Sequence, residues 1–177
     1  SQFETIHPFL DGNGRCGRLL IALLLKDKGL LQSPVLFLSS YFKKHQVEYY
    51  QKLNNYHKGE IDEWVNFFLD GVIDISKKSI NLLKKVSDLY KKDMEKIFML
   101  SKREHDSTML VLDKLYSQPI ISTKVVMEWT SFSRRGAQKV IDRLIDLEIL
   151  RLSDFSTKYD RSYVYVEYMK IFNMYGA

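Results

Sequence analysis

The chain has 177 residues, 45% hydrophobic and 28% charged, which excludes wholesale disorder. Its 8 Gly and 3 Pro exclude a collagen-like or linker-like chain, and one cysteine, Cys16, allows no internal disulfide. The net charge of +5 is confined to the middle: Lys+Arg against Asp+Glu is 8 to 8 over 1–71, 9 to 4 over 72–103 and 10 to 10 over 104–177. A solvated basic helix face accounts for that excess more simply than a nucleic-acid surface does.

In chain order, the polar cluster Asp11, Gly12, Asn13 and Gly14 precedes an apolar run over 19–28 that ends at Gly29. The run is far short of a bilayer span, and a helix apolar on most sides is expected to be buried, with Gly29 at its C-terminal cap. Ser33 and Pro34 mark a loop, and Val35 begins a short strand or an extended lead-in. Residues 41–56 read as one helix, with Val47, Tyr50 and Leu53 at helical spacing, broken by Lys58 and Gly59. Asp62 caps a long helix through Trp64, Phe68, Val72, Ile75, Leu82, Val86, Leu89 and Ile97, bent near Gly71. A heptad stretch this short is more often an intramolecular stripe than a coiled coil.

Beyond residue 108 come an amphipathic helix over 109–116, a short helix capped by Ser122, and a third helix capped by Ser133 and running to Leu147. A β-hairpin of strands 149–152 and 162–166 follows, its loop holding Asp154, Ser156, Lys158 and Asp160. Three helices and a hairpin is the order of a winged helix-turn-helix. Arg134, Arg135, Gln138 and Lys139 open the third helix, so DNA binding is one reading; a protein-interaction or homodimer module is the other.

The chemistry concentrates in His7-Pro8-Phe9-Leu10-Asp11-Gly12-Asn13-Gly14-Arg15-Cys16-Gly17-Arg18. A helix N-terminus binds anions through unpaired N–H groups, and Gly12 and Gly14 let backbone approach a phosphate. Arg15 and Arg18, three apart, can clamp phosphate oxygens. Asp11 offers Mg²⁺ a hard oxygen ligand or caps the helix. His7 can take a proton from an attacking hydroxyl. Phe9 and Leu10 are expected as core anchors of the loop; Trp64, Phe67 and Phe68 as core; His45 and His105 as solvated. The literal G-x-G-x-x-G at Gly12–Gly17 is no dinucleotide fingerprint, because no strand precedes it and no acid follows about 20 residues on.

These twelve residues resemble the signature of the Fic (Fido) family, His-Pro-Phe-x-Asp/Glu-Gly-Asn-Gly-Arg-x-x-Arg, at every specified position. Nine fixed positions at about 5% each agree by chance on the order of 10⁻¹². Leu36, Tyr41 and the Glu48-Tyr49-Tyr50-x-x-Leu53 segment are similar to the family's stretch after the loop, and residues 60–72 to its closing helix.

The resemblance implies a mainly α chain: the C-terminal part of a Fic helical core over 1–72, a connecting helix over 73–103 and a small α+β winged helix over 104–177. It implies a protein adenylyltransferase moving AMP from ATP with Mg²⁺ to a Ser, Thr or Tyr hydroxyl of a target protein; the lone cysteine suits a cytoplasmic chain, and no apolar run is long enough to expect a membrane segment. His7 would be the general base, Asp11 the Mg²⁺ ligand, Gly12, Asn13 and Gly14 the anion hole, and Arg15 and Arg18 the triphosphate contacts. Cys16 and Gly17 complete the nucleotide-binding stretch, Cys16 as a spacer. Tyr49 would lie beside the nucleoside, with His57 at a position the family often fills with Asn or Arg. Gly14, where kinase-like members carry Lys, favours nucleotidyl transfer. The family's flap and first core helices precede the motif, and its inhibitory Ser/Thr-x-x-x-Glu-Gly/Asn helix is not found in the sequence. The chain is therefore expected to be a piece of a longer parent, poorly active alone, with the residue 19–25 helix uncovered.

Overall fold

The computed structural model describes residues 2–31, 38–153 and 161–176. It is mainly helical with one small sheet and divides into two compact units, Ser1–Ile80 and Asn81–Ala177. Expectations for Ser33, Pro34, Val35 and Leu36, and for the loop with Asp154, Ser156, Lys158 and Asp160, lie outside the described residues. Among the described residues no helix is long and apolar enough to cross a membrane.

Unit 1 opens with α1 (Gln2–Ile6) and α2 (Asn13–Asp27). Lys28 caps α2, and Gly29 follows at φ 70°, the left-handed residue that helix ends favour. Burial differs from expectation. Only Asn13, Gly17 and Ala22 of α2 are buried, whereas Leu19, Leu20, Leu23 and Leu24 are 40–59% exposed. The helix is apolar on more sides than unit 1 has described elements to cover.

Residues 41–56 form two helices, α3 (Leu38–Lys44) and α4 (Gln46–His57), parted at His45. The expected apolar face of α4 is not the inward one: Val47 is 83% and Tyr50 55% exposed, and Tyr49 turns in. The core of unit 1 joins Leu38, Tyr41 and Phe42 to Phe67 and Ile75, with Trp64 and Phe68 packed against them. Those last residues lie on α5 (Ile61–Phe98), unbroken over 38 residues. It begins at Ile61, so Asp62 sits in its first turn and is not its cap. Gly71 marks no break in it. A Cβ there would lie 2.7 Å from Cδ1 of Tyr41, so the glycine admits that ring. His45 is not merely solvated either, since its ring stacks on Tyr41 at 4.5 Å.

Unit 2 packs α6 (Lys102–Leu115), α7 (Thr123–Thr130) and α8 (Arg134–Asp146) around Leu112, Leu115, Val126, Ile141 and Leu144. Ser133 caps α8 by accepting the Gly136 N–H at 3.3 Å, whereas Ser122 precedes α7 without a side-chain cap bond. The strands are β1 (Ile120–Ser122), β2 (Arg151–Leu152) and β3 (Ser162–Val164), antiparallel in the order β1-β3-β2. Ile121 and Leu152 both face Tyr163 in register. Ile149 and Leu150 are core residues ahead of β2 rather than part of it. β1 and the closing α9 (Val166–Gly176) lie beyond the expected elements.

A buried polar network anchors this unit. The Tyr165 hydroxyl donates to Asp93, Lys96 Nζ stands 3.2 Å from the same carboxylate, and the Tyr116 and Tyr165 hydroxyls are 3.0 Å apart. Burial pushes the Tyr116 phenol up to about 12 and Tyr165 higher still, where the Asp93 carboxylate adds to it. His105 also departs from the solvated reading. Its ring packs on Phe98, its Nδ1 lies 3.1 Å from Asp106, and its Nε2 is buried without a hydrogen-bond partner among the described residues.

Candidate nucleotide site

The side chain of Asn13 clasps the loop between α1 and α2. Asn13 is 2% exposed; its Oδ1 accepts the Phe9 N–H at 2.9 Å and its Nδ2 donates to the Phe9 carbonyl at 2.5 Å. This reciprocal pair closes residues 9–13 into a compact loop. The hydrophobic anchors expected there do not exist as such. Phe9 is 52% exposed, its ring 6.2 Å from that of Phe3, and Leu10 is fully exposed. Polar closure replaces apolar anchoring because the loop has little core beneath it.

Gly12 turns the chain into α2 at φ 82°, a left-handed conformation that a Cβ makes costly. The first intrahelical bond runs from Cys16 N–H to the Gly12 carbonyl at 3.0 Å, so the N–H groups of Asn13, Gly14 and Arg15 precede any intrahelical acceptor. Their partial positive charge faces outward at the helix start. The Asn13 amide, committed to Phe9, leaves that residue only its backbone N–H for an anion.

Asp11 does not cap α2. Its Oδ1 accepts from Gly12 N–H at 2.6 Å, and Gly12 itself is the N-cap. Its Oδ2 lies 3.4 Å from Arg15 Nη2, with the two side chains 92% and 76% exposed. An ion pair this exposed is worth at most about 1 kcal/mol, so a polyanion can draw Arg15 away. Arg18 is placed from a distance: its Nε donates to Ser39 Oγ on α3 at 2.9 Å, leaving the terminal nitrogens to other acceptors. His7 follows α1 at φ 49° and is exposed. That φ is uncommon for a residue with a Cβ.

A cleft of about 460 Å³ is lined by Gly17, Arg18, Leu20, Phe42, Tyr49, Tyr56 and Trp64, among others. That volume suits a drug-sized ligand. It brings Gly17 and Arg18 together with Tyr49, whose ring lies 5.0 Å from Phe42 and 5.4 Å from Trp64. His57 is not among the lining residues; it is exposed on the last turn of α4, edge-on to Tyr56 at 5.8 Å. Tyr56, two helical turns after Tyr49, lines the cleft instead, and that seven-residue spacing was the signal for it. Trp64 lines it as well as packing on the core. Nothing in the sequence signalled Ser39. Cys16 is half-buried and free, and Gly17 is buried.

As to a cation, one carboxylate beside a phosphate-binding loop is the donor set that Mg²⁺ uses with substrate phosphates. Among the described residues no group of three or more His, Cys, Asp or Glu could hold a metal, so an ion at Asp11 would take its other oxygens from phosphate and water. In unit 2, Arg134, Arg135 and Lys139 are exposed. Gln138 is not free to read a base. Its amide accepts from Thr123 Oγ1 at 2.9 Å and donates to Asp142 at 2.8 Å and the Tyr163 hydroxyl at 3.1 Å.

Residues 1–25 match the family model described as Fic/DOC family. The chain is 36% identical over 106 residues to a protein adenylyltransferase Fic of Drosophila mojavensis, covering 59% of this chain and 18% of that protein. It is 42% identical over 65 residues to the protein adenylyltransferase Fic of Aedes aegypti, covering 37% and 12%. Over 29 residues it is 62% identical to a probable protein adenylyltransferase of Aquifex aeolicus, covering 16% and 9%. The chain thus spans less than a fifth of the length of these relatives.

Proposed function

From the match of residues 1–25 to the Fic/DOC family model we propose that the chain carries the nucleotide-handling part of a protein adenylyltransferase. The observation that supports this best is the cleft lined by Arg18, Tyr49, Tyr56 and Trp64, which reaches the first turns of α2. The nucleoside would lie among the aromatic rings, and the phosphates against the amides of Asn13, Gly14 and Arg15. Arg15 exchanges its weak pair with Asp11 for a phosphate oxygen, and Arg18 approaches the phosphates while Ser39 steadies its Nε. Asn13 keeps the loop closed.

His7 takes the proton from the hydroxyl of the target protein as that oxygen forms its bond to the α-phosphorus. The bond from that phosphorus to the bridging oxygen breaks, and pyrophosphate leaves with the electron pair. Asp11 fits a Mg²⁺ ion, which when bound would neutralise phosphate charge. For residues 104–177 we propose a winged helix-turn-helix, on the order α6, α7, α8 and then the antiparallel β2–β3 pair beside β1.

The test reads binding and transfer separately. ATP is titrated into wild type, Arg18→Ala and His7→Ala with and without Mg²⁺, and label from the α-phosphate is followed into protein with the same variants of the full-length protein. Wild type binds ATP, Arg18→Ala binds several-fold more weakly, and His7→Ala binds normally but transfers nothing. Absence of ATP binding by wild type overturns the nucleotide reading; undiminished transfer by His7→Ala overturns only the general base.

A further inference from the structure

Helix α5 has a second face that unit 1 leaves uncovered. Phe67, Gly71 and Ile75 turn toward α3, whereas Ile61, Val65, Leu69, Ile73 and Ile80 remain 42–65% exposed. At 3.6 residues per turn Leu69, Ile73 and Ile80 fall within one arc of the helix, away from the core-facing residues, and Ser76 shares it, whereas Ile61 and Val65 lie beside Val72, which packs on the core. Leu69, Ile73, Ser76 and Ile80 are spaced four, three and four apart, the seam spacing of paired helices.

The charges along this stretch are ordered; Glu63 pairs with Lys52 and Asp74 with Lys78 inside the chain, which leaves Asp70 and Lys77 beside this row. Residues 61–75 carry Asp62, Glu63, Asp70 and Asp74 and no base, and Lys77 and Lys78 follow at once. Asp70 and Lys77, seven apart and both exposed, flank the row on one side. Acid first and base second is self-complementary when two copies run antiparallel; parallel copies would set acid against acid. The leucine face of α2 has no such charge order.

We propose that two copies of this chain pair antiparallel along this face of α5, with the two-fold axis between Ile73 and Ser76. Leu69 then meets Ile80 of the second copy, Ile73 meets its Ser76, and Asp70 meets its Lys77. The two-fold axis makes every contact occur twice. The serine at the centre limits the apolar seam, so the dimer is reversible.

Sedimentation equilibrium of the 177-residue chain over a concentration series tests this. Wild type is a reversible dimer. Ile73→Asp is monomeric with unchanged far-ultraviolet circular dichroism, as its exposed position allows. Asp70→Lys and Lys77→Asp each weaken association several-fold, and the Asp70→Lys/Lys77→Asp swap restores it, which a general loss of fold would not do. A monomer at every concentration, a dimer that survives Ile73→Asp, or a swap that fails to restore association overturns the proposal. So does a dimer dissolved by Leu23→Asp and not by Ile73→Asp, since that association would run through α2.

Discussion

Asn13 and Leu10 stand three residues apart and do opposite things. Asn13 is buried and satisfies both backbone groups of Phe9, whereas Leu10 touches solvent on all sides. Removing one partner of a buried hydrogen-bonded group costs about 1–3 kcal/mol, while surface truncations usually stay within about 0.5 kcal/mol. Asn13→Ala is therefore expected to destabilise unit 1 by about 1–3 kcal/mol and to weaken ATP binding, since the loop that carries Asp11 loses its clasp. Leu10→Ala should change neither. Urea denaturation followed by Trp64 fluorescence in a Trp129→Phe background and calorimetric ATP titration of both variants check this; equal stability for the two would refute the clasp.

At the scale of elements, α5 shows how a glycine inside a helix can be required. Gly→Ala in a helix interior ordinarily gains about 1 kcal/mol. At Gly71 the new Cβ would meet Tyr41 Cδ1 at 2.7 Å and Cε1 at 2.9 Å. That ring is hemmed in by His45 at 4.5 Å and Phe67 at 5.4 Å, so it has no free end to swing aside. Overpacking of this kind costs about 1–3 kcal/mol, which outweighs the propensity gain. Gly71→Ala is expected to lower the stability of unit 1, with Leu69→Ala on the exposed side nearly neutral in dilute protein. A Gly71→Ala variant more stable than wild type would show that α3 yields easily.

At the scale of the molecule, the two units carry unequal cores. Among the described residues unit 1 buries five apolar side chains in its cluster and unit 2 buries fourteen. Unit 1 also leaves the α2 leucines in water, so its net hydrophobic stabilisation is smaller. Each unit contains one of the two tryptophans, Trp64 and Trp129. The single-tryptophan variants Trp129→Phe and Trp64→Phe thus report on unit 1 and unit 2 separately. Unit 1 should unfold at lower urea than unit 2, and ATP should raise only the first midpoint. Coincident midpoints would mean that the chain unfolds as one cooperative body.

The sequence by itself determined what depends on near neighbours. Asp11, Gly12, Gly14, Arg15 and Arg18 lie within eight residues, and a glycine turn into a helix start sets their surroundings almost regardless of the rest. The cap at Ser133, the left-handed Gly29 just past α2, the break at Gly59 and the helical course of α5 and α8 were legible for the same reason, since local propensity and periodicity govern them. Tertiary structure decided whatever depends on what lies opposite. It exposed the leucines of α2, turned Tyr49 inward instead of Tyr50, and brought Tyr56 rather than His57 to the cleft. It also set Ser39 on Arg18 across 21 residues of sequence, and drew Gln138 away from solvent to Tyr163. Periodicity says that a face is apolar but not that anything covers it, because burial is a property of two surfaces and the sequence pattern describes one.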